Sequence, residues 1–261
     1  MTTFFDQETN TFGYTAYDPV KNTIVVAFRG SQGLDYKNWV TNLRFNLEPY
    51  KLYPYAEVHA GFYSAYEAVS SKVLTGFEAI FKKHPTAHII FTGHSLGGAL
   101  AVFAALDINF KFNVTSANQQ YLYTHGSPRV GDEEFSNLLF ELYPNGEYER
   151  IIHANDVVPH LPPPALGYHH AGNEIWVYKE EGTSYRECEN ISDKEENLKC
   201  SNSLNSSQLR IDPHLILAGY EITELCNESE VHFNFKFIKE SVSTTGLKTL
   251  IQRQFSNLSG L

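Results

Sequence analysis

Ser95 lies between two glycines, in a stretch whose residue types could carry out acyl transfer. Residues 89–102 read Ile-Ile-Phe-Thr-Gly-His-Ser-Leu-Gly-Gly-Ala-Leu-Ala-Val, an apolar run that breaks at the serine and resumes as a small-residue helical pattern. A turn this tight from strand to helix strains the serine, so its neighbours two positions away, Gly93 and Gly97, must lack bulk. The spacing predicts a nucleophile elbow that presents the Ser95 hydroxyl for covalent catalysis.

A serine hydroxyl needs a histidine to take its proton and a carboxylate to orient that histidine. Around such an elbow the chain order is serine, then acid, then histidine. Asp156 is favoured as the acid because it follows the apolar run Arg150–Ala154 and precedes a stiff, proline-rich stretch. Asp132 is the rival, but it opens a helical pattern and is sufficiently explained as a helix N-cap. Asp107 falls inside the helix after Ser95, where a packing or surface role is expected.

The histidine that serves as base is less sharply defined by position. The candidates after Asp156 are His160, His169, His170, His214 and His232. The first three belong to the proline-rich loop and its exit, where a loop-anchoring role is sufficient. His214 is modestly favoured over His232, because it follows a polar loop that could bring it back over the sheet.

Strands alternate with helices along the chain and predict an α/β fold with a mostly parallel sheet. A hairpin is expected from Phe12–Asp18 and Thr23–Phe28, and an acidic cluster, Asp193–Glu196, is interpreted as a solvated face. The other predicted elements are a helix over Ala60–Lys83, strands at Gln119–His125, Tyr148–His153 and Gly172–Tyr178, and a helix starting near Asp132. A length of 261 residues fits one domain, residues 1–261.

Composition and short motifs indicate which binding partners are excluded and in which compartment the protein is expected to act. A formal charge of −10 and a pI near 5.5 argue against nucleic acid as partner. No apolar stretch is long enough to span a bilayer, and the first residues do not resemble a signal peptide. Five Asn-x-Ser/Thr sequons and a polar loop bracketed by Cys188 and Cys200 nevertheless predict a secreted, disulfide-bonded glycoprotein whose leader is absent from this sequence. The sequons start at Asn113, Asn190, Asn205, Asn227 and Asn257.

Six blocks of residues, found in the expected order, are similar to those of the class 3 lipases, the secreted fungal lipases of the α/β-hydrolase superfamily. They are Ala27-Phe-Arg-Gly-Ser31, Val58-His-Ala-Gly-Phe62, Thr92-Gly-His-Ser-Leu-Gly-Gly98, Gly126-Ser-Pro-Arg-Val-Gly131, Asn155-Asp-Val-Val-Pro159 and Asp212-Pro-His-Leu215. The resemblance covers Phe12 to Tyr220. It implies an α/β-hydrolase fold, a central, mostly parallel twisted sheet flanked by helices, with a nucleophile elbow and a lid helix.

The resemblance also implies roles for individual residues. Ser95 would be the nucleophile, Asp156 the orienting acid and His214 the base. The backbone N–H of Leu96 and a donor from Ser31 would form the oxyanion hole, although Ser31 could instead cap the next helix. His94 and His59, which lie inside the blocks, are interpreted as structural residues that hold loops by hydrogen bonds, and Cys188 and Cys200 fall where such proteins often form a bridge.

The segment after Ser31 bears on the substrate. Its apolar residues fall on one helical face and its polar residues on the other. The apolar set is Leu34, Tyr36, Trp39, Val40 and Leu43. In the similar lipases the corresponding helix is a lid that covers the site in water and turns its apolar face to lipid; the alternative is a fixed helix packed on the core.

Two departures from the family pattern stand out. The lipases usually carry an N-terminal helix ahead of the first strand, so the sequence is expected to lack that helix. The histidine block contains an inserted proline, Pro213, which leaves its local geometry open.

The expected function is that of a secreted serine carboxylester hydrolase, most simply a triacylglycerol lipase acting as a monomer at an oil–water or membrane surface, without metal or cofactor. Phospholipase A1 or feruloyl esterase activity on the same scaffold is the alternative, and Trp39 with Val40 argues against the second. A catalytically inactive lipid-binding module is the remoter interpretation.

Overall fold

Strands and helices alternate through most of the computed structural model, which describes residues 1–31, 43–112, 114, 118–179, 184–188, 196–217 and 220–221. The strands are β1 (Thr2–Asp6), β2 (Thr11–Asp18), β3 (Thr23–Phe28), β4 (Leu47–Tyr50), β5 (Tyr53–His59), β6 (His88–His94), β7 (Gln120–His125), β8 (Tyr148–His153), β9 (Asn173–Val177), β10 (Arg186–Cys188), β11 (Ile216–Leu217) and β12 (Tyr220–Glu221). The helices are α1 (Ala60–Phe81), α2 (Leu96–Lys111) and α3 (Glu133–Leu142).

Eight of these strands form one sheet in the order β1-β2-β3-β6-β7-β8-β9-β10. The first three pair antiparallel, β3 through β9 are parallel, and β10 returns antiparallel at the far edge. The predicted α/β fold with a mostly parallel sheet is therefore confirmed. Because β3, β6, β7 and β8 run in the same direction, the loops that follow them emerge together at one edge of the sheet, where sites in open α/β folds gather.

The main core lies between the helices and one face of the sheet. Alternate strand residues point into it, among them Ile24 and Val26 of β3 and Phe91 of β6. The intervening residues Ile90, Tyr121 and Tyr123 form a separate cluster with Val25 on the opposite face. Both faces of the central strands are therefore apolar, as parallel strands require.

Helix α2 carries the chain away from Ser95 through the centre of the core. Its residues from Gly97 to Leu106 are all buried, because alanines, glycines and larger apolar side chains occupy every face. A helix that is apolar all round belongs in the interior. Helix α1 begins at a cap from His59, whose Nδ1 accepts a hydrogen bond from the Phe62 N–H at 3.2 Å. His59 thus has a structural, hydrogen-bonding role, as expected, although it caps a helix instead of holding a loop.

A disulfide joins Cys188 at the end of β10 to Cys200, as expected. The interpretation of the acidic cluster as a solvated face is wrong for Glu196, whose side chain is only 9% exposed because it pairs with a buried arginine. Asp193 lies outside the described residues, as do His232 and every sequon asparagine except Asn205. No helix within the described ranges is long and apolar enough to cross a membrane.

Candidate active site

Ser95 lies at a sharp turn between β6 and α2 in a left-handed backbone conformation, with φ 57° and ψ −129°. The turn is possible only because its neighbours lack side chains. A Cβ on Gly93 would lie 2.2 Å from the carbonyl of Gly97, and one on Gly97 would lie 2.4 Å from the Phe28 oxygen. The Ser95 N–H donates to the His125 carbonyl at 2.9 Å. Within the described part of the chain, the buried Ser95 Oγ makes no hydrogen bond.

Asp156 occupies the loop after β8, two strands away from the elbow. The chain reaches it through Ala154, a non-glycine residue with φ 45° whose carbonyl accepts a 2.6 Å hydrogen bond from the Trp176 indole. The carboxylate is 1% exposed, and its Oδ1 accepts the Val158 N–H at 2.8 Å. The second oxygen, Oδ2, is thereby directed at His214.

His214 lies in the short turn Asp212–Leu215 and is 1% exposed. Its Nδ1 is 2.8 Å from Asp156 Oδ2. An ionised carboxylate only accepts hydrogen bonds, so the Nδ1 must carry the proton, and this leaves Nε2 as the nitrogen that can take up another. The structure therefore brings Asp156 and His214 together, whereas Asp132 caps α3 through the Phe135 N–H at 2.8 Å.

His94, next to the nucleophile, contacts the His214 segment directly. Its Nε2 donates to the His214 carbonyl at 2.9 Å, and the two rings lie 4.5 Å apart between centroids. This hydrogen bond links the elbow to the turn that carries His214 and matches the structural role expected of His94.

Gly126 is a site residue whose role the sequence analysis did not identify. It has φ +55°, and a Cβ built there would lie 2.9 Å from both Asp156 Oδ2 and His214 Nδ1. Any side chain would intrude on the hydrogen bond between these two residues. The signal available in the sequence was its place at the head of the block Gly126–Gly131, directly after a strand.

The candidate oxyanion donors lie on two sides of Ser95. Leu96 is the first residue of α2, and the N–H groups of a helix's first turn lack acceptors within the helix. Gly30, just before Ser31, lies against the elbow: a Cβ there would be 2.8 Å from the His94 oxygen and 3.3 Å from Ser95 Cβ. The turn carrying Ser31 therefore adjoins the nucleophile.

Several histidines at this edge of the sheet are buried and neutral. Burial lowers the pKa of His125 to about 4, and burial with the nearby Arg129 charge lowers the pKa of His160 to about 4. Burial, followed by the proximity of His214, holds the pKa of His94 well below its usual value. His170 Nε2 is 2.8 Å from the Pro159 carbonyl, which anchors the loop after Asp156.

Asp107 is only half-buried, and its two carboxylate oxygens accept the hydroxyls of Tyr50 and Tyr66, each at 2.9 Å. Asp107 faces the buried tyrosines from α2, which agrees with a packing role. Of the predicted lid residues, Leu43 packs against the core, while Leu34, Tyr36, Trp39 and Val40 lie outside the described residues. Among the residues that are described, no group of three or more histidine, cysteine or acidic side chains could hold a metal ion.

Comparison with known proteins agrees with this geometry. The model of the family "Lipase (class 3)" matches residues 25–166. A lipase of Rhizomucor miehei is 37% identical over 206 residues, which are 79% of this chain and 54% of that protein. A secreted mono- and diacylglycerol lipase of Fusarium solani is 38% identical over 63% of this chain and 46% of its own length.

Solved structures give the same result. A triacylglycerol lipase whose catalytic centre is described as a serine protease triad superposes with a TM-score of 0.76 at 33% identity, over 85% of this chain and 81% of its own. The chain spans about half the length of the curated relatives it matches. The family model matches more than half of the residues, and the matched range contains the elbow at Ser95 and also Asp156, the partner of His214. The chain therefore belongs to the class 3 lipase family.

Proposed function

We propose that this protein is a secreted serine carboxylester hydrolase that cleaves acylglycerols, in which Ser95, His214 and Asp156 form the catalytic triad. The observation that supports this most directly is the 2.8 Å contact between His214 Nδ1 and Asp156 Oδ2, held against the elbow by His94. It gives a buried imidazole the tautomer that a general base requires.

In the first half of the reaction, Ser95 Oγ attacks the ester carbonyl carbon while its proton passes to His214 Nε2. Asp156 stabilises the imidazolium that forms. The carbonyl oxygen becomes an oxyanion that accepts hydrogen bonds from the Leu96 N–H and from Ser31. Each such donor contributes about 3 kcal/mol, because it meets charge that develops only in the transition state.

Collapse of this intermediate breaks the ester bond, and His214 protonates the departing alcohol. The acyl group remains on Ser95. Water, deprotonated by His214, then attacks the acyl-enzyme through a second oxyanion and releases the fatty acid. The cycle returns every proton and needs no cofactor.

The names of the relatives support the choice of substrate and compartment. Triacylglycerol lipase and secreted mono- and diacylglycerol lipase are the activities named for similar proteins. A disulfide between Cys188 and Cys200 fits an oxidising compartment. The same family membership supports the proposal of a single-chain enzyme that acts at a lipid surface, with the segment Leu34–Leu43 as its lid.

Replacement of the nucleophile tests the mechanism. Ser95→Ala should abolish turnover of p-nitrophenyl esters and labelling by a fluorophosphonate probe, with an unchanged thermal unfolding midpoint. Ser136→Ala is a matched control. Ser136 is also buried, but it lies in α3, where its hydroxyl donates to the His169 carbonyl. Retention of turnover by Ser95→Ala would refute the triad, and a wild-type protein that takes no label would indicate an inactive binding module.

A substrate series tests the specificity. Rates on triglycerides from tributyrin to triolein, on phospholipids and on feruloyl esters should be highest for acylglycerols. A rise in rate above the solubility limit of tributyrin would support a moving lid. Higher rates on phospholipid or feruloyl ester would reassign the substrate while leaving the triad in place.

A further inference from the structure

The segment 196–217, which carries His214, has little regular secondary structure. It contains two short 3-10 turns, Ser201–Ser203 and Asp212–Leu215, and the two-residue strand β11. Most of its backbone therefore lacks the ladder hydrogen bonds that fix the strand ends next to Ser95 and Asp156. Contacts made by side chains carry more of its positioning.

Glu196, the first described residue of this segment, uses both carboxylate oxygens. Oε1 accepts from Arg129 Nε at 2.6 Å and from the His170 N–H at 3.0 Å. Oε2 accepts from Arg129 Nη2 at 2.5 Å and from Asn202 Nδ2 at 2.6 Å. The pair with Arg129 is bidentate, which fixes direction as well as distance. Burial by itself would raise the pKa of Glu196, but the hydrogen bonds from Arg129 hold it well below its usual range.

Arg129 connects Glu196 to the loops that surround the candidate triad. Its side chain is 2% exposed, and its Nη1 donates to the Pro162 carbonyl at 3.0 Å. Its own N–H donates to the Leu161 carbonyl at 2.8 Å. Both acceptors belong to the loop that follows Asp156, and Arg129 itself lies in the turn that starts at Gly126. The ion pair thus connects the start of the His214 segment to the loop after Asp156 and to the turn that starts at Gly126.

The other end of the segment is fixed beside Asp156 by backbone hydrogen bonds. The Arg210 N–H donates to the Asn155 carbonyl at 2.9 Å, and the Val157 N–H donates to the Arg210 carbonyl at 2.9 Å. His214 follows four residues later, and its N–H donates to Ile211 at 3.0 Å. Between these two ends the segment is also held at Cys200 by the disulfide and at Ser201, whose N–H donates to Glu174 Oε1 at 2.8 Å, so a series of fixed points connects Glu196 with the His214 turn.

From these contacts we propose that Glu196 is a positioning residue for the catalytic base: through Arg129 it holds the segment 196–214 so that His214 meets Asp156. The proposal rests on the proposed function for its kinetic consequence but not for its geometry. Glu196 touches neither the reacting atoms nor His214, and acts through the chain between them. Displacement of a base by about 1 Å costs on the order of 100-fold in rate.

Glu196→Gln in the full chain is the first test, because it keeps the shape of the side chain and removes the charge. We expect kcat on p-nitrophenyl butyrate to fall on the order of 100-fold with KM nearly unchanged, since the acyl site is not touched. The low-field proton resonance of the His214 Nδ1–H, which reports its short hydrogen bond to Asp156, should broaden or vanish. Glu196→Asp should recover part of the activity.

Loss of the carboxylate leaves Arg129 buried without its partner, so the single variant could unfold. The double variant Arg129→Met/Glu196→Leu removes both charges, and apolar replacement of a buried ion pair generally preserves stability. It should fold with a thermal midpoint close to that of the wild type, yet keep the low kcat and the altered resonance. Wild-type kcat and resonance in a folded double variant would overturn the proposal. Failure of both variants to fold would also overturn it, because Glu196 would then act in stability alone.

Glu78→Gln is the matched control, because it makes the same substitution away from the site. Glu78 pairs with Lys82 at 2.7 Å on α1 and its C-cap, and the two side chains are 41% and 72% exposed. Its replacement should change kcat by less than about 2-fold, as expected for an exposed pair.

The proton resonance of His214 separates the failure of the proposed function from the failure of the positioning role. If the wild type hydrolyses no ester, the proposed function fails, but loss of the His214 proton signal in Glu196→Gln would still support the positioning role.

Discussion

The elbow at Ser95 and the segment that carries His214 are positioned by different physical means. Around Ser95 the constraint is steric and lies in the backbone, since Gly93, Gly97 and the Phe28 carbonyl approach closely enough to exclude any Cβ. Around His214 the backbone hydrogen bonds at Arg210 are supplemented by contacts that side chains make: a buried ion pair, a disulfide and a hydrogen bond from His94. Ser95 is fixed by the absence of neighbouring side chains, whereas His214 also depends on contacts from residues distant in the sequence.

This difference matters for how each region responds to change. A steric constraint admits one conformation and fails abruptly when atoms are added. A constraint made of several hydrogen bonds and an ion pair can lose one contact and relax by degrees. Substitutions at the elbow should therefore act on the fold and the nucleophile together, while substitutions around the base should lower activity before the whole structure is lost.

The largest effect is expected from Gly93→Ala. The new Cβ would lie 2.2 Å from the carbon and oxygen of Gly97, and backbone atoms there cannot move aside without breaking the turn. We expect a loss of more than about 4 kcal/mol in the free energy of unfolding, measured with urea, and loss of fluorophosphonate labelling.

Gly146→Ala provides the control for Gly93→Ala. Gly146 has φ +84°, but a Cβ there would meet only the end of the Asn173 side chain. The left-handed conformation alone should cost about 1 to 2 kcal/mol and leave activity intact. Equal losses in the two variants would contradict a specific steric role for Gly93.

The same contrast explains what could be predicted from the sequence. The elbow could be recognised because its determinants lie within five residues and each has one steric meaning. Asp132 could be assigned as a helix cap for a similar reason, since the cap and the bonded N–H of Phe135 are three residues apart. The α/β alternation and the hairpin at the start of the sheet followed from periodicity, which is also local.

The base and its supports could not be derived in this way. Asp156 and His214 are 58 residues apart, and the choice of His214 over His232 depended on family resemblance. Glu196 was misinterpreted because an acidic residue in a polar run usually faces solvent, and its partner Arg129 lies 67 residues away. Gly126 begins one of the six blocks, but its role could not be predicted because it depends on close approach to two side chains that are distant in the sequence. The assignment of one domain to residues 1–261 and the lid at Leu34–Leu43 stay predictions.

Acid should destabilise the fold as a whole through its buried histidines. The pKa of His59, of His125 and of His160 is lowered to about 4, in each case first by burial. The unfolded chain takes up these protons below its own pKa of about 6.5, whereas the folded chain does not. The contribution of these histidines to the free energy of unfolding is therefore fully present above pH 6.5. It is lost as the pH drops towards 4, by about 3 kcal/mol for each histidine.

Urea unfolding at a series of pH values between 7 and 4 measures this loss. His125→Gln should reduce the slope of unfolding free energy against pH by about one proton, because one buried imidazole has been removed. A slope that is flat across this range would show that the histidines titrate alike in the folded and unfolded chains.

Removal of the disulfide should act on the base and spare the elbow. Cys188→Ser/Cys200→Ser opens a loop of 12 residues, and loop-closure entropy predicts a loss of about 2 to 3 kcal/mol. Amide hydrogen exchange should accelerate in 196–217 while α2 behind Ser95 stays protected. Equal acceleration in both regions would mean that the elbow and the His214 segment unfold as one cooperative unit, which would contradict separate means of positioning them.

The smallest effect is expected from Trp176→Phe, which tests how much one hydrogen bond contributes beside Asp156. The indole N–H donates to the carbonyl of Ala154, whose left-handed conformation directs the chain into the Asp156 loop. Phenylalanine keeps most of the apolar contact and removes only the donor, so the loss of stability should be about 1 kcal/mol. Activity should fall by a few-fold, because Asp156 still accepts the Val158 N–H. Tyr178→Phe, in the same aromatic cluster but 42% exposed, should change neither quantity. A loss in Trp176→Phe as large as that in Gly93→Ala would place the acid's loop with the sterically fixed elbow instead of with the base.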